Sequence, residues 1–472
     1  MNIKEILPRV SRLYFMGIGG SSMSSLAQIA RHRGYNVAGS DMQESDATRE
    51  LARQGIRIYL GQTAENIDSE QPELIVRTDA IANCNPELLR AKEVGIPVFR
   101  RAEFLGWLLD SYPQTVGVAG THGKTTTTSM ITSVFLSAGK NPDAIIGGHM
   151  NRINASFRLG NGETCIFESC EFKESFHYFY PNISVVLNIA QDHMEYFHTQ
   201  DNLIRAFRRY LDNIRPGGLL IANAEDDNSR QMLKTYSGPL QTFGLEHGNY
   251  QAEQIVLQQG LPSFELWYHS NGDRPKELLG RICLSVPGQH NIKNALAAAA
   301  ACHVCGISGK DIAEGLHAYN GAGRRFEYYC TVNGAVIADD YGHHPDAYAV
   351  TFATARDLGF RRIFAIHQPH TFSRTKMLMD DFVRVLSTVD GVLIPPIYPA
   401  RETNDAYHID ARDVVGRLNN AEYLPDFEHI ADRVKQLAQP GDLFITLGCG
   451  DIYKAARRIT EKYGETIYKK DI

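Results

Sequence analysis

Short apolar runs alternate along the chain with longer amphipathic or alanine-rich stretches. Apolar runs buried on both faces read as parallel strands, and the stretches of helical period read as the helices covering them. The pattern opens with a strand at Leu13–Met16, a glycine turn Gly17-Ile18-Gly19-Gly20 and a helix at Met23–Arg33. A second strand, Asn36–Ala38, ends at Gly39-Ser40-Asp41, and Leu74–Val76 and Pro86–Glu93 continue as strand and helix. A second opening comes at the strand Thr115–Ala119, which runs into Gly120–Gly123 and the helix Lys124–Ser137. Strands at Cys165–Phe167 and Ser184–Ile189 and a buried helix at Ala295–Val304 follow. The third opening lies near Arg324-Arg325-Phe326-Glu327. There, strands at Ala335–Ala338, Arg362–Ile366 and Val392–Pro395 alternate with helices at Pro345–Leu358 and Leu378–Val385. A last strand, Leu443–Thr446, meets Gly448-Cys449-Gly450 and a helix beginning at Asp451. This alternation predicts an α/β chain of mostly parallel sheets in three domains, 1–112, 113–323 and 324–472.

A length of 472 residues agrees with that number of domains. With 43% hydrophobic and 22% charged residues the composition is that of a globular protein. Acidic residues outnumber basic ones, 54 to 48, giving a charge of −6, which argues against a broad nucleic-acid face. Any anion is therefore expected at a local cluster. No apolar run reaches the roughly 18 residues of a membrane span. The start, Met1-Asn2-Ile3-Lys4-Glu5, lacks the pattern of a secretory signal. Eight scattered cysteines, several inside apolar runs, fit a reducing cytoplasm.

The sharpest chemical signal is Gly120-Thr121-His122-Gly123-Lys124-Thr125-Thr126 between strand and helix. Glycines let successive backbone N–H groups face inward, and with the positive helix end they cradle phosphate. Lys124 would reach the terminal phosphates and the Thr125 hydroxyl would ligate Mg²⁺. Val118 stands where the longer loop form has its first glycine, so the match is to a short G-x-x-G-K-T version. Glu168 ends its strand with Glu171 three residues on, and Asp192-His193 follows the next strand, so Glu168 and His193 are expected to face the phosphates with Thr125. The Gly17–Gly20 turn, with Asp41 ending the following strand, suggests a second phosphate and ribose cradle, although Ser22 and Met23 replace the third fingerprint glycine. Three polar clusters remain: His290-Asn291 with Asn294, Asp339-Asp340-Tyr341-Gly342-His343-His344, and His367-Gln368-Pro369-His370 with Arg374. Their spacing fits no zinc pattern. Cys302-His303-Val304-Cys305 lies in an apolar helix and reads as buried thiols.

These clusters, in this order, resemble the Mur ligases of peptidoglycan synthesis, and the resemblance spans the whole chain. It implies Rossmann-like first and third domains around a central P-loop ATPase-like domain. It also implies an ATP- and Mg²⁺-dependent ligase that phosphorylates a carboxylate and passes the acyl group to an amine. The implied partners are UDP-N-acetylmuramate and, on the alanine-adding branch, L-alanine, in a cytoplasmic monomer or homodimer without nucleic acid. Carried onto matching residues, Gly120–Thr126, His290, Asn291, Asn294, Arg325 and Asp340 would hold ATP. Thr125, Glu168 and His193 would hold metal. Gly17, Gly19, Gly20, Ser40 and Asp41 would hold the UDP moiety. Tyr341, His343, His370 and Arg374 would line the cleft where acyl phosphate and amine meet, with Lys124, His193, His343, His370 and Arg374 as the catalytic set. The resemblance also implies that ATP is clamped as the second and third domains close.

Several positions depart from the family pattern. Cys170 and Lys173 stand where relatives carry acids, Thr371 where an arginine is common, and Ser22 where a glycine is common. Arg401 is a second candidate positive charge beside Arg374. Phe207 occupies the place of a lysine that sibling ligases carry, in agreement with the alanine-adding branch. A recycling ligase that attaches a preformed peptide is the near alternative. A dinucleotide-dependent oxidoreductase and a non-catalytic nucleotide-binding regulator are the distant ones.

Overall fold

The computed structural model describes residues 3–270, 275–400 and 402–467. Arg401 lies outside the described residues. By compactness the chain divides into two units. The first comprises Met1–Glu253, Glu265–Arg281 and Lys293–Tyr319, and the second Gln254–Phe264, Ile282–Ile292 and Asn320–Ile472.

In the first unit, the amino-terminal sheet has five strands in the order Arg57–Leu60, Asn36–Asp41, Arg12–Met16, Leu74–Arg77, Val98–Arg100. All pair in parallel. Arg12–Met16 is the centre from which the strand order runs outward in both directions, and the Gly17–Gly20 turn leaves its carboxyl end at that switch point, where open α/β sheets bind ligands. The helix Pro86–Glu93 forms as the sequence predicts, because Asn85 caps it and Pro86 takes its first turn.

The second sheet has ten strands, with Gln114–Ala119 between Ile183–Val186 and Thr164–Ser169, all three parallel. The strand expected over Ser184–Ile189 stops at Val186. Beyond it the chain swings over to the phosphate loop, so Leu187–Ile189 serves the site rather than the sheet. The alanine helix is longer than expected and starts at His290, so His290, Asn291 and Asn294 occupy its first turns. Ala295 and Ala297 through Ala301 are fully buried, and their small side chains let this helix pack closely. Phe207, also fully buried, meets Phe176 edge to face at 5.2 Å.

In the second unit, six strands run Glu327–Val332, Ala335–Asp340, Asp442–Leu447, Arg362–His367, Gly391–Ile394, Ala421–Tyr423. The first pair is antiparallel and the rest parallel. Three adjacent parallel strands, Ala335–Asp340, Asp442–Leu447 and Arg362–His367, therefore deliver their following loops to one edge. Those loops are Tyr341–His344, Gly448–Gly450 and Gln368–Arg374.

Candidate functional site

The phosphate loop of the first unit is shaped by its backbone. Gly120 and Gly123 have φ of +135° and +85°, a region L side chains rarely adopt. A Cβ on Gly123 would collide with the side-chain oxygen of Asn294. Asn188 fixes the loop from outside. Its carbonyl accepts the Thr121 N–H at 3.0 Å, its Oδ1 accepts the His122 N–H at 2.9 Å, and its Nδ2 donates to the His122 carbonyl at 3.0 Å. Thr121 adds a reciprocal pair with Ala190 at 2.9 and 3.1 Å. These bonds fix the curvature of the loop.

Lys124 begins the following helix, and its Nζ is within 3.0 Å of Glu171 Oε1 and 2.9 Å of Oε2. Burial alone would lower the lysine pKa, but the Glu171 carboxylate beside it raises it above the ordinary value. Thr125 lies at the same helix start, with its methyl 3.2 Å from where a Cβ on Gly148 would sit. The neighbouring Gly147 donates its N–H to Glu168 Oε1 at 2.8 Å and leaves no room for a side chain against that carboxylate. Thr125 and Glu168 therefore face the same bare strip of backbone, Gly147-Gly148. Among the described residues no group of three His, Cys, Asp or Glu side chains is arranged to hold a metal. A hydroxyl and a carboxylate still suit Mg²⁺, which takes few protein oxygens and completes its shell with water and phosphate. His193 has φ +55° and packs its ring on Phe172 at 4.5 Å.

The same strip meets the first glycine turn. The Ser21 hydroxyl donates to the Gly147 carbonyl at 3.3 Å, and Ser25 pairs with Ser156 at 3.0 Å. Gly17 and Ile18 donate their N–H groups to the Ser40 carbonyl, and Asp41 Oδ2 accepts the Gly19 N–H at 2.9 Å. Asp41 thus closes the turn. The Ser40 hydroxyl points into the core, where it donates to Glu87 at 2.7 Å. Of the Ser40–Asp41 pair, Ser40 therefore shapes the turn through its backbone. Arg101, which sequence reasoning passed over, reaches the Ser22 hydroxyl at 3.3 Å beside this helix start. Lys173 is tied to the same sheet. Its ammonium contacts the Asp79 carbonyl at 3.4 Å, its own carbonyl accepts from Arg100, and Arg100 grips the Asp79 carboxylate at 2.7 and 3.0 Å.

In the second unit, Asp340 accepts N–H groups from Phe326 at 2.9 Å and Gly342 at 2.7 Å. Burial raises its pKa, against the pull of Arg325 and these donors. Arg325 lies over the Tyr341 ring at 5.2 Å. The neighbouring Arg324, given no role in the sequence reading, ties the cluster together. It pairs with the fully buried Asp339 at 2.9 Å and donates to the carbonyls of Gly448 at 2.6 Å and Gly450 at 3.1 Å. His370 stacks on Tyr398 at 5.4 Å and meets Arg374 at 3.3 Å. His343 lies edge-on to Tyr341 at 5.7 Å. Cys449 brings the two histidines together. Burial pushes its thiol up, but His343 and His370 hydrogen-bond it and hold it well below the usual thiol range, at about 5. His290 folds back against Gly288, and Asn291 Nδ2 donates to the Pro287 carbonyl at 2.7 Å.

A glycine-rich loop at a helix start, a hydroxyl residue and a carboxylate beside a glycine strip and, in the second unit, a basic cluster are the parts expected of a nucleotide-dependent group-transfer enzyme. Family profiles agree: the Mur ligase family catalytic domain matches residues 12–113, the Mur ligase middle domain 118–302, and the Mur ligase glutamate ligase domain 324–450. The chain belongs to the Mur ligase family and has its three-domain α/β fold. It is 41% identical to a UDP-N-acetylmuramate–L-alanine ligase of Acetivibrio thermocellus, over 94% of this chain and 95% of that one. It is 38% identical to the enzyme of that name from Clostridium novyi, over 95% and 97%. Among solved structures, the UDP-N-acetylmuramate–alanine ligase of Thermotoga maritima superposes with a TM-score of 0.81 at 28% identity, covering 96% of this chain and 98% of that one.

Proposed function

We propose that this protein is the ATP-dependent ligase that joins L-alanine to the lactyl carboxylate of UDP-N-acetylmuramate, releasing ADP and phosphate, in the cytoplasm. The observation that carries the reading is the shared strip Gly147-Gly148, with Thr125 and Glu168 against it and the first glycine turn bonded to it through Ser21. That arrangement supports a reading in which a phosphate donor and a nucleotide-sugar acceptor are bound within one unit.

A carboxylate has no good leaving group, and phosphorylation supplies one. The carboxylate oxygen attacks the terminal phosphorus, ADP departs, and an acyl phosphate results. Backbone N–H groups of the Gly120–Gly123 loop and the Lys124 ammonium counter the charge that builds on the phosphoryl oxygens. Thr125, Glu168 and His193 would hold Mg²⁺, which when bound neutralises further phosphate charge. The amine of alanine then attacks the acyl carbon, and phosphate leaves from the tetrahedral adduct. His343 and His370 are assigned to the amine's proton, and Arg374 to the departing phosphate. Asp340, Arg325, His290, Asn291 and Asn294 are assigned to ATP. Gly17, Gly19, Gly20 and Asp41 are assigned to the UDP moiety, with Ser40 shaping their turn, and Tyr341 to the acyl acceptor. The sheets support domain bounds of 1–112, 113–323 and 324–472.

The test is phosphate release from ATP and Mg²⁺ with UDP-N-acetylmuramate, run with L-alanine, glycine, L-serine and a preformed peptide in parallel. Amide formation with L-alanine is expected. Turnover with the peptide alone would overturn the alanine assignment in favour of the recycling reaction.

A further inference from the structure

Lys124 spends its donors inside the protein. An ammonium has three protons, and Nζ meets both oxygens of Glu171, the Thr121 carbonyl at 3.1 Å and the Gly120 carbonyl. The pair is shielded, with 15% of the Lys124 side chain and 2% of the Glu171 side chain exposed. A terminal phosphate therefore has to take Nζ from partners already in place. The two carbonyls belong to the loop itself. Glu171 does not: it stands just past the strand Thr164–Ser169, three residues beyond Glu168, on a segment fixed by the Lys173 contacts to Arg100 and Asp79.

We infer that Glu171 is a positioning residue that holds the Lys124 ammonium inside the loop until a nucleoside triphosphate displaces it. This rests on the reading of the loop as the ATP site. The inference assigns Glu171 a role different from metal ligation, which the acid pair Glu168 and Glu171 otherwise suggests. The carboxylate keeps the lysine ordered, and it competes with phosphate for the same N–H donors. Its removal therefore strengthens nucleotide binding, whereas loss of a metal ligand or a purely structural contact weakens it.

The experiment measures ATP dissociation constants by calorimetry, with EDTA and with Mg²⁺, for the unmodified chain, Glu171→Asp and Glu171→Gln. Charge-assisted hydrogen bonds are roughly twice as strong as neutral ones, so Glu171→Gln is expected to bind metal-free ATP about tenfold more tightly. Glu171→Asp keeps the charge with a shorter reach and is expected to fall between the two. In steady state, KM for ATP falls in Glu171→Gln without a rise in kcat. Unchanged or weaker metal-free binding in both variants overturns the inference while leaving the loop assignment standing. So does a loss confined to the Mg²⁺ series, which would make Glu171 a metal ligand. If Glu171→Gln does not fold, the Asp variant decides alone by the direction of its change. If the unmodified chain binds no ATP under either condition, the reading of the loop fails and the inference with it.

Discussion

The glycine loop of the first unit and the strand-end cluster of the second unit are held in shape by different means. The loop is built from backbone: glycines at positive φ, carbonyls and N–H groups, with Asn188 as the outside brace. The cluster is built from side chains: Arg324 on Asp339, His370 on Tyr398, and two imidazoles on Cys449. A backbone cradle tolerates few substitutions but recognises any phosphate. A side-chain cluster is tunable, residue by residue.

The largest expected effect is at the loop. Lys124→Ala should cut turnover by about 10³-fold, as loss of a phosphoryl-stabilising cation does. It should also cost roughly 2–4 kcal/mol in chemical denaturation, because Glu171 is left buried and unpaired. Adding Glu171→Gln should restore stability and leave turnover lost; recovery of turnover would show that the lysine is dispensable. Gly123→Ala forces a methyl onto Asn294 at positive φ and should lower kcat/KM for ATP by about 100-fold. A near-normal value would mean that the loop is not rigid. At the cluster, Arg324→Lys keeps the charge but loses the fork that spans Asp339, Gly448 and Gly450. A loss of about 2 kcal/mol is expected, with a raised KM for the amino acid and little change for ATP.

The same backbone logic extends beyond the loop at Glu225. Burial pushes its carboxyl up, but the Glu246 N–H and Lys293 pull it down to about 2. The ionised form is thus favoured in the folded state. Its contribution is complete above the ordinary carboxylate value, near pH 4.5, and is lost as pH falls toward about 2. Discounted for its 15% exposure, it amounts to about 2 kcal/mol, which Glu225→Gln should remove from the difference in unfolding free energy between pH 6 and pH 3. The smallest effect is chemical. Cys449 should react with iodoacetamide at pH 6.5 about ten times faster than the exposed Cys84, because the two histidines beside it favour its thiolate. Equal rates would dissolve the imidazole cluster.

The comparison also explains what could be read in advance. Gly120–Thr126, Pro86–Glu93 and Lys124–Ser137 were legible because each is specified by neighbours in sequence: turn glycines, a cap and a helical period. Glu168 was placed correctly at the carboxyl end of its strand, whereas His193 lies well beyond the strand that ends at Val186. Cys449, Tyr398 and Arg324 were not legible, because their partners arrive from strands far apart in sequence. Gly147 was missed because a residue lacking a side chain carries no chemical signal. Tyr250–Gln258 went unread because its outer half is largely exposed and lacks an apolar run. Ser184–Ile189 was read as too long because Leu187–Ile189 is apolar yet leaves the sheet for the loop.

The brace at Asn188 has a consequence for how the enzyme meets its nucleotide. One residue commits its carbonyl and both polar atoms of its side chain to Thr121 and His122, so the two loops move as a single mechanical part. A loop braced in this way would lose little ordering entropy on capturing phosphate. A stiff, compact anion would gain from that preparation as much as the natural nucleotide does, making this contour, rather than any individual side chain, the natural template for a competitive inhibitor.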